Sequence, residues 1–96
     1  MSTLDVTSYV VTFHYQEFGL GDLQSLTSAM VNSGYSTTLH DAEGHPHELG
    51  TNSFGIVSTL SPEAVSEQAA RIAEVALHQS PQTEVTTLQY FLQKPV

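Results

Sequence analysis

The stretch from residue 8 to residue 15, SYVVTFHY, decides the fold because its side chains alternate along an extended chain. One face of this stretch carries the apolar and aromatic side chains of Tyr9, Val11, Phe13 and Tyr15. A period of two, in a segment rich in aromatic and β-branched residues, predicts a β-strand with one face in a core. We therefore take this segment as the first strand and work outward from it.

Two later segments carry apolar residues at helical spacing. The first predicts a helix over residues 23–33, with Asp22 as its N-cap. The second predicts a helix over residues 62–79, where Ser61 is the cap and a proline occupies the first helical position. Both helices have an apolar stripe on one side, so we expect each to pack against a sheet.

Residues 35–41, 53–59 and 84–92 predict the other three strands, and the polar stretch 41–50 predicts a loop. The order βαββαβ is typical of a ferredoxin-like α+β fold. We expect a four-stranded antiparallel sheet in the order 4-1-3-2, with both helices on one face. Residues 8–93 would form a single domain, with residues 1–7 and 94–96 as loose termini.

Composition excludes several classes of site. The 96 residues include no cysteine, which removes disulfides, thiolate metal sites and cysteine nucleophiles. Two basic against ten acidic residues leave a formal charge of −8, so strong attraction to nucleic acid by charge alone is not expected. No apolar stretch approaches the ~20 residues that span a bilayer, and the first residues lack a signal-peptide pattern. We therefore expect a cytoplasmic protein that does not bind membranes.

The predicted topology gathers all five histidines at one end of the sheet. His14 and His40 end the first two strands, which are separated by the third, so they would lie about 10 Å apart. That separation suits an acid and a base on either side of a phosphodiester, because imidazole can do both jobs near neutral pH. The prediction is that His14 and His40 catalyse cleavage of RNA by its own 2′-OH.

Two other interpretations of the histidines stay open. His45 and His47 form an H-x-H pair that could bind a metal together with a nearby carboxylate. Structural zinc sites usually show four well-spaced ligands, so we predict neither a metal nor another cofactor. Histidines in a loop at the end of a sheet are also often only solvated polar residues.

Four short motifs resemble the GhoS antitoxin family, whose members have a Cas2-like, ferredoxin-like fold. They are YVVTFHY at 9–15, Asp41-x-x-Gly44-x-Pro46, Asn52-Ser53-Phe54 and Tyr90-Phe91-x-Gln93. Their order and spacing are kept over residues 9–93. The resemblance implies an endoribonuclease antitoxin of a type V toxin–antitoxin system, which cleaves the single-stranded mRNA of a small membrane-damaging toxin.

The chain departs from the family pattern at positions where the family has charged side chains. The pattern has a carboxylate at the position of His14, and it has arginines at the positions of Ser25, Thr27 and His47. Arginines at such positions would be natural contacts for phosphate. His14 and His47 could replace part of the chemistry that these residues supply in the family.

The resemblance leads to expectations for RNA binding. We expect His47 to help hold phosphate, Tyr15 or Phe54 to stack a base, and Asn52 to contribute to the same surface. The alternative is a non-catalytic, acidic ferredoxin-like module that binds a protein partner or forms a homodimer through an exposed strand edge. RNA binding that weakens with salt would favour the first interpretation.

Overall fold

The structure is a computed structural model and describes residues 6–19 and 21–93. The elements in chain order are β1 (Thr7–His14), α1 (Asp22–Asn32), β2 (Thr38–His40), β3 (Pro46–Glu48), β4 (Ser53–Ser58), α2 (Pro62–Leu77), β5 (Gln82–Thr87) and α3 (Leu88–Gln93). The α+β class is therefore as predicted. The predicted loose ends 1–5 and 94–96 lie outside the described residues, and Thr7 already belongs to β1.

The central sheet has three antiparallel strands in the order β4-β1-β5. Val11 of β1 pairs with Phe54 of β4 on one side and with Val85 of β5 on the other. The first strand is thus central, and its two neighbours are the strands that the sequence predicts there. The alternating stretch decides the fold because both pairings depend on it.

The predicted four-stranded sheet in the order 4-1-3-2 is wrong, because the second predicted strand leaves the sheet. Ser36 makes a single antiparallel bridge with Gly55 of β4. The Ser36 hydroxyl then donates to the Thr38 carbonyl at 2.8 Å and accepts from the Thr38 N–H at 3.2 Å. These bonds bend the chain, and β2 pairs instead with β3 in a separate two-stranded sheet. The predicted loop 41–50 therefore contains a strand, and residues 38–48 form a hairpin.

Gly55 allows this hairpin to fold over the central sheet. A Cβ atom at Gly55 would overlap the Leu39 side chain, so only glycine permits so close an approach. Leu39 is buried in a small cluster with Val10, Leu49 and Leu88. The hairpin and α3 consequently cover the face of the sheet that carries Val10.

The main core lies on the opposite face, between the sheet and the two long helices. Tyr9, Val11 and Phe13, the predicted inner residues of β1, are all buried there. The helical side chains that pack with them include Leu26, Met30, Val65, Ala69, Ala73 and Leu77. Four of these lie on α2, where small alanines let the helix approach the sheet closely.

The helix starts agree only in part with the sequence prediction. Ser61 caps α2 as expected, because its hydroxyl accepts from the Ala64 N–H at 3.2 Å. The N-cap of α1 is Gly21, so Asp22 is the first helical residue and not the predicted cap. Its carboxylate accepts instead from the Phe18 N–H at 2.7 Å, which closes the turn before the helix.

The last predicted strand, residues 84–92, is correct only for its first half. β5 ends at Thr87 and α3 begins at Leu88. The Thr87 hydroxyl accepts from the Tyr90 N–H at 3.1 Å, and Leu88 is buried in the small cluster. The chain turns into a helix here because Leu88 can then pack on the face that carries Val10.

Candidate functional site

The structure places the two predicted catalytic residues in different grooves. His14 ends β1 and lines one open groove with Glu84, which we call the His14 groove. His40 lines the other, the His40 groove, with Thr7 and Ser8 from the beginning of β1. Since β1 rises about 3.3 Å per residue, the two ends of the strand are about 20 Å apart. His14 and His40 therefore do not form the expected pair at one end of the sheet, because the hairpin bends back across it.

The His14 groove has a volume of about 540 Å³. His14 Nε2 lies 3.6 Å from Glu84 Oε1, and the two side chains are 54% and 58% exposed. Thr12 pairs with Glu84 across the two strands, so His14 and Glu84 are diagonal neighbours on one face. The His14 groove therefore contains a histidine and a carboxylate whose side chains lie close together and are both open to solvent.

The rest of the His14 groove is polar with one aromatic side. The Thr12 and Ser53 hydroxyls lie 2.9 Å apart and bond to each other. Tyr90 of α3 lines the groove and is 61% exposed. Side chains that donate and accept protons can catalyse proton transfer to and from a bound ligand. An exposed aromatic ring beside them can stack on a planar group of that ligand.

Asp41 organises the turn of the hairpin. Its Oδ1 accepts from the N–H groups of Glu43 and His45, both at 2.9 Å. Its Oδ2 lies 2.8 Å from Nε2 of His47. The hydrogen bond with His47, followed by that from His45, lowers the pKa of Asp41 to about 2. His47, the predicted phosphate contact, therefore already has a carboxylate partner.

Tyr15 and Asn52, two of the predicted RNA-binding residues, are brought together. The Tyr15 hydroxyl donates to Oδ1 of Asn52 at 2.9 Å. Burial raises the pKa of Tyr15, and the nearby charges of Glu17 and Asp22 add to that effect. Asn52 has a φ of 65°, and its carbonyl accepts from the Phe13 N–H at 3.0 Å. The pair fixes the turn that leads into β4.

Phe54, the other predicted stacking residue, belongs to the core. It is 2% exposed, and its ring centroid lies 6.1 Å from that of Phe13. A base cannot stack on this ring while the core is packed. Among the aromatic side chains of the described residues, Phe18 and Tyr90 are the most exposed, and of these two Tyr90 lines the His14 groove.

Sequence reasoning missed Glu84 as the partner of His14. The signal was present in the alternation of polar residues at Gln82, Glu84 and Thr86, which places a second polar face beside that of β1. The position of Tyr90 beside this pair is harder to predict, because residues 84–92 predict a strand and the structure has a helix from Leu88. Neither residue stands out without the register between β1 and β5.

Positive charge is scarce throughout the chain. The sequence contains two basic residues, Arg71 and Lys94. Arg71 lies on α2, where its guanidinium bonds to Glu67 at 2.6 Å.

Over residues 6–19 and 21–93, none of the helices is long and apolar enough to cross a membrane.

The fold and the His14 groove together define a small antiparallel α+β protein with an exposed histidine–carboxylate pair beside an aromatic ring. Residues 1–94 match the family described as Endoribonuclease GhoS. The chain belongs to that family, which confirms the resemblance carried by its four motifs. Family membership implies an endoribonuclease antitoxin.

Two relatives in Escherichia coli extend this finding. The chain is 34% identical over 87 residues to "Uncharacterized protein YdiZ" of strain K12, and the match covers 91% of each chain. The protein of the same name from strain O157:H7 matches with the same identity and coverage. Because the match spans almost the full length of both chains, the similarity applies to the whole fold.

Proposed function

We propose that this protein is an endoribonuclease antitoxin that cleaves the single-stranded mRNA of its toxin in the His14 groove. The observation that carries the proposal is the approach of His14 Nε2 to Glu84 Oε1, 3.6 Å, on a solvent-open face beside Tyr90. A general acid and a general base catalyse cleavage by an internal 2′-OH, and an exposed ring can bind the strand by stacking on a base. Membership of the GhoS family supports endoribonuclease activity.

The proposed mechanism uses Glu84 as the base and His14 as the acid. The Glu84 carboxylate takes the proton of the 2′-OH, and the O2′ atom forms a bond to phosphorus. The bond from phosphorus to O5′ breaks as protonated His14 gives its proton to O5′. The products are a 2′,3′-cyclic phosphate and a free 5′-hydroxyl. Both side chains are more than half exposed, so they can separate to admit a phosphodiester.

RNA binding would depend on stacking and neutral hydrogen bonds more than on charge. Tyr90, which lines the groove and is exposed, would stack a base, and the Thr12 and Ser53 hydroxyls would bond to phosphate or sugar oxygens. Tyr15 and Asn52 would contribute by holding the turn before β4 in place. With a net charge of −8, we expect weak binding with a shallow dependence on salt.

His40 and His47 enter the proposal as residues of the hairpin. The predicted catalytic role of His40 would require it to act with His14, which lies in a different groove. We therefore assign acid and base to His14 and Glu84, and place His40 and His47 where a longer RNA strand could contact the protein. Under this assignment, a substitution of His14 should slow RNA cleavage strongly, whereas a substitution of His40 should change it little.

The test is cleavage of a mixed single-stranded RNA pool by the pure full-length chain in the presence of EDTA. His14→Ala and Glu84→Gln should each slow cleavage about 100-fold or more, because general acid–base groups contribute roughly 10²–10⁴-fold. His40→Ala should stay within about threefold of the unchanged protein. Mass spectrometry should find 2′,3′-cyclic phosphate ends on the products.

Three outcomes would contradict the proposal. RNA that stays intact with the unchanged protein would remove the catalytic function and favour a non-catalytic module that binds a protein partner. Full activity in Glu84→Gln would remove the assigned base. Loss of activity in His40→Ala with full activity in His14→Ala would move the site to the other groove.

The antitoxin role needs a second measurement. The pool should include a message that encodes a short, strongly apolar membrane protein, together with control messages of equal length and base composition. Faster loss of that message would support the toxin mRNA as substrate. Equal loss of all messages would leave a ribonuclease without the proposed selectivity.

A further inference from the structure

The turn of the hairpin holds three side-chain atoms of the kinds that bind metal ions. They belong to Asp41, Glu43 and His45, and all three lie within 4.8 Å of one another. Nδ1 of His45 is 3.7 Å from Asp41 Oδ2 and 3.7 Å from Glu43 Oε1. An ion centred among the three atoms would lie about 2.1–2.4 Å from each, close to zinc–nitrogen and zinc–oxygen distances.

The backbone of the turn determines which Asp41 oxygen is available. Oδ1 is occupied by the N–H groups of Glu43 and His45. Oδ2 lies 3.7 Å from Nδ1 of His45, and it also lies 2.8 Å from Nε2 of His47. Carboxylates that bind metal ions are usually themselves hydrogen-bonded by neighbouring groups, which orient them. Little rearrangement would therefore be needed for an ion to enter.

We propose that the hairpin turn binds one divalent transition-metal ion of the Zn²⁺ class per chain. Asp41 Oδ2, Glu43 Oε1 and His45 Nδ1 would be the protein ligands, and a water would complete the coordination. The imidazole favours such ions over Mg²⁺ and Ca²⁺, which prefer oxygen ligands alone. The site is separate from the His14 groove and independent of the proposed cleavage reaction.

A metal ion bound in the hairpin turn would change the charge of the surrounding surface. Asp41 lines the His40 groove, so a bound ion would place two positive charges at the edge of that groove. The chain has a net charge of −8 and two basic residues in total, so these would be a large local addition. The ion would also tie the three residues of the turn together and stabilise the hairpin.

The experiment is calorimetric titration of the untagged, chelator-treated full-length chain with ZnCl₂ at neutral pH. We expect one ion per chain with a micromolar Kd. His45→Ala and Glu43→Gln should each weaken binding at least tenfold. These side chains are 70% and 80% exposed, so neither change should disturb folding. Circular dichroism of both variants checks that they are folded.

The matched control is His14→Ala, which removes the histidine of the other histidine–carboxylate pair. It should keep the Kd of the unchanged protein. Binding that is absent up to millimolar ZnCl₂, that survives His45→Ala, or that is lost in His14→Ala would each overturn the proposal. RNA cleavage measured in EDTA reports on the His14 groove alone, so failure of the metal site and failure of the proposed nuclease are distinguishable.

Discussion

The two faces of the central sheet are built from alternate residues of the same strand, yet they pack against different elements. Val11 faces the two long helices in a cluster of eleven buried residues of the described chain. Val10, its neighbour, faces the hairpin and α3 in a cluster of four. The polar residues of the His14 groove lie on the Val10 face. The comparison indicates that the helical face supplies most of the stability, whereas the hairpin face carries the residues that we propose to be catalytic.

The largest expected effect is on the helical face. Phe13→Ala should lower the free energy of unfolding by about 3–5 kcal/mol, because Phe13 is fully buried and its loss leaves a cavity. Phe91→Ala, at a half-buried position beside the small cluster, should cost much less. Urea unfolding of the two variants measures the difference. Equal losses would contradict the division between the faces.

A smaller loss is expected at the contact between the hairpin and the sheet. Gly55→Ala should cost about 1–3 kcal/mol, because its Cβ would overlap Leu39. In a Leu39→Ala background the same change should cost much less, since the space is then open. The double-mutant cycle gives the coupling between the two positions. Additive effects would show that the hairpin does not lie against Gly55.

The pH dependence of stability sharpens the account of the turn. The pKa of Asp41 in the folded chain is about 2, below its ordinary value of 3.8. The unfolded chain therefore binds more protons between these values, and stability rises with pH through that window. The contribution is complete above pH 3.8 and is lost as the pH falls toward 2.

The measurement is chemical unfolding at a series of pH values in EDTA, with Asp41→Asn as the comparison. The variant should be less stable at neutral pH and should show a flatter profile between about pH 4 and pH 2. The same slope in both proteins would mean that Asp41 does not hold the turn through its charge.

The smallest effect is expected on the outer surface of α2. Arg71→Ala removes the ion pair with Glu67, in which both side chains are mostly exposed. Such pairs contribute about 0.3–0.5 kcal/mol on a helix and less at high salt. Thermal unfolding at two salt concentrations should therefore show almost no change. A loss of more than about 1 kcal/mol would show that the helical face depends on charge as well as on burial.

The helical face was predictable because it depends on local pattern. The alternation of Tyr9, Val11 and Phe13 and the cap at Ser61 are visible in the sequence, and the structure contains both. These features use short-range periodicity and hydrogen bonds between residues three apart. The family was predictable for a related reason, since its motifs keep their order along the chain.

The hairpin face was not predictable, because its arrangement depends on contacts between distant residues. The chain bends at Ser36, and Gly55 has no Cβ atom to obstruct the hairpin. Together these two features move the second predicted strand out of the sheet. That shift separates His14 from His40 and leaves Glu84 as the partner of His14. Neither residue type alone indicates such a rearrangement.

The most direct test of the central claim is the pH profile of RNA cleavage for the unchanged protein, His14→Ala and Glu84→Gln. The account predicts a bell-shaped profile, because the base must be ionised and the acid must be protonated. Glu84→Gln should lose the fall in rate on the acid side, and His14→Ala should lose the fall on the alkaline side. A bell that is unchanged in both variants, or that disappears only in His40→Ala, would contradict it.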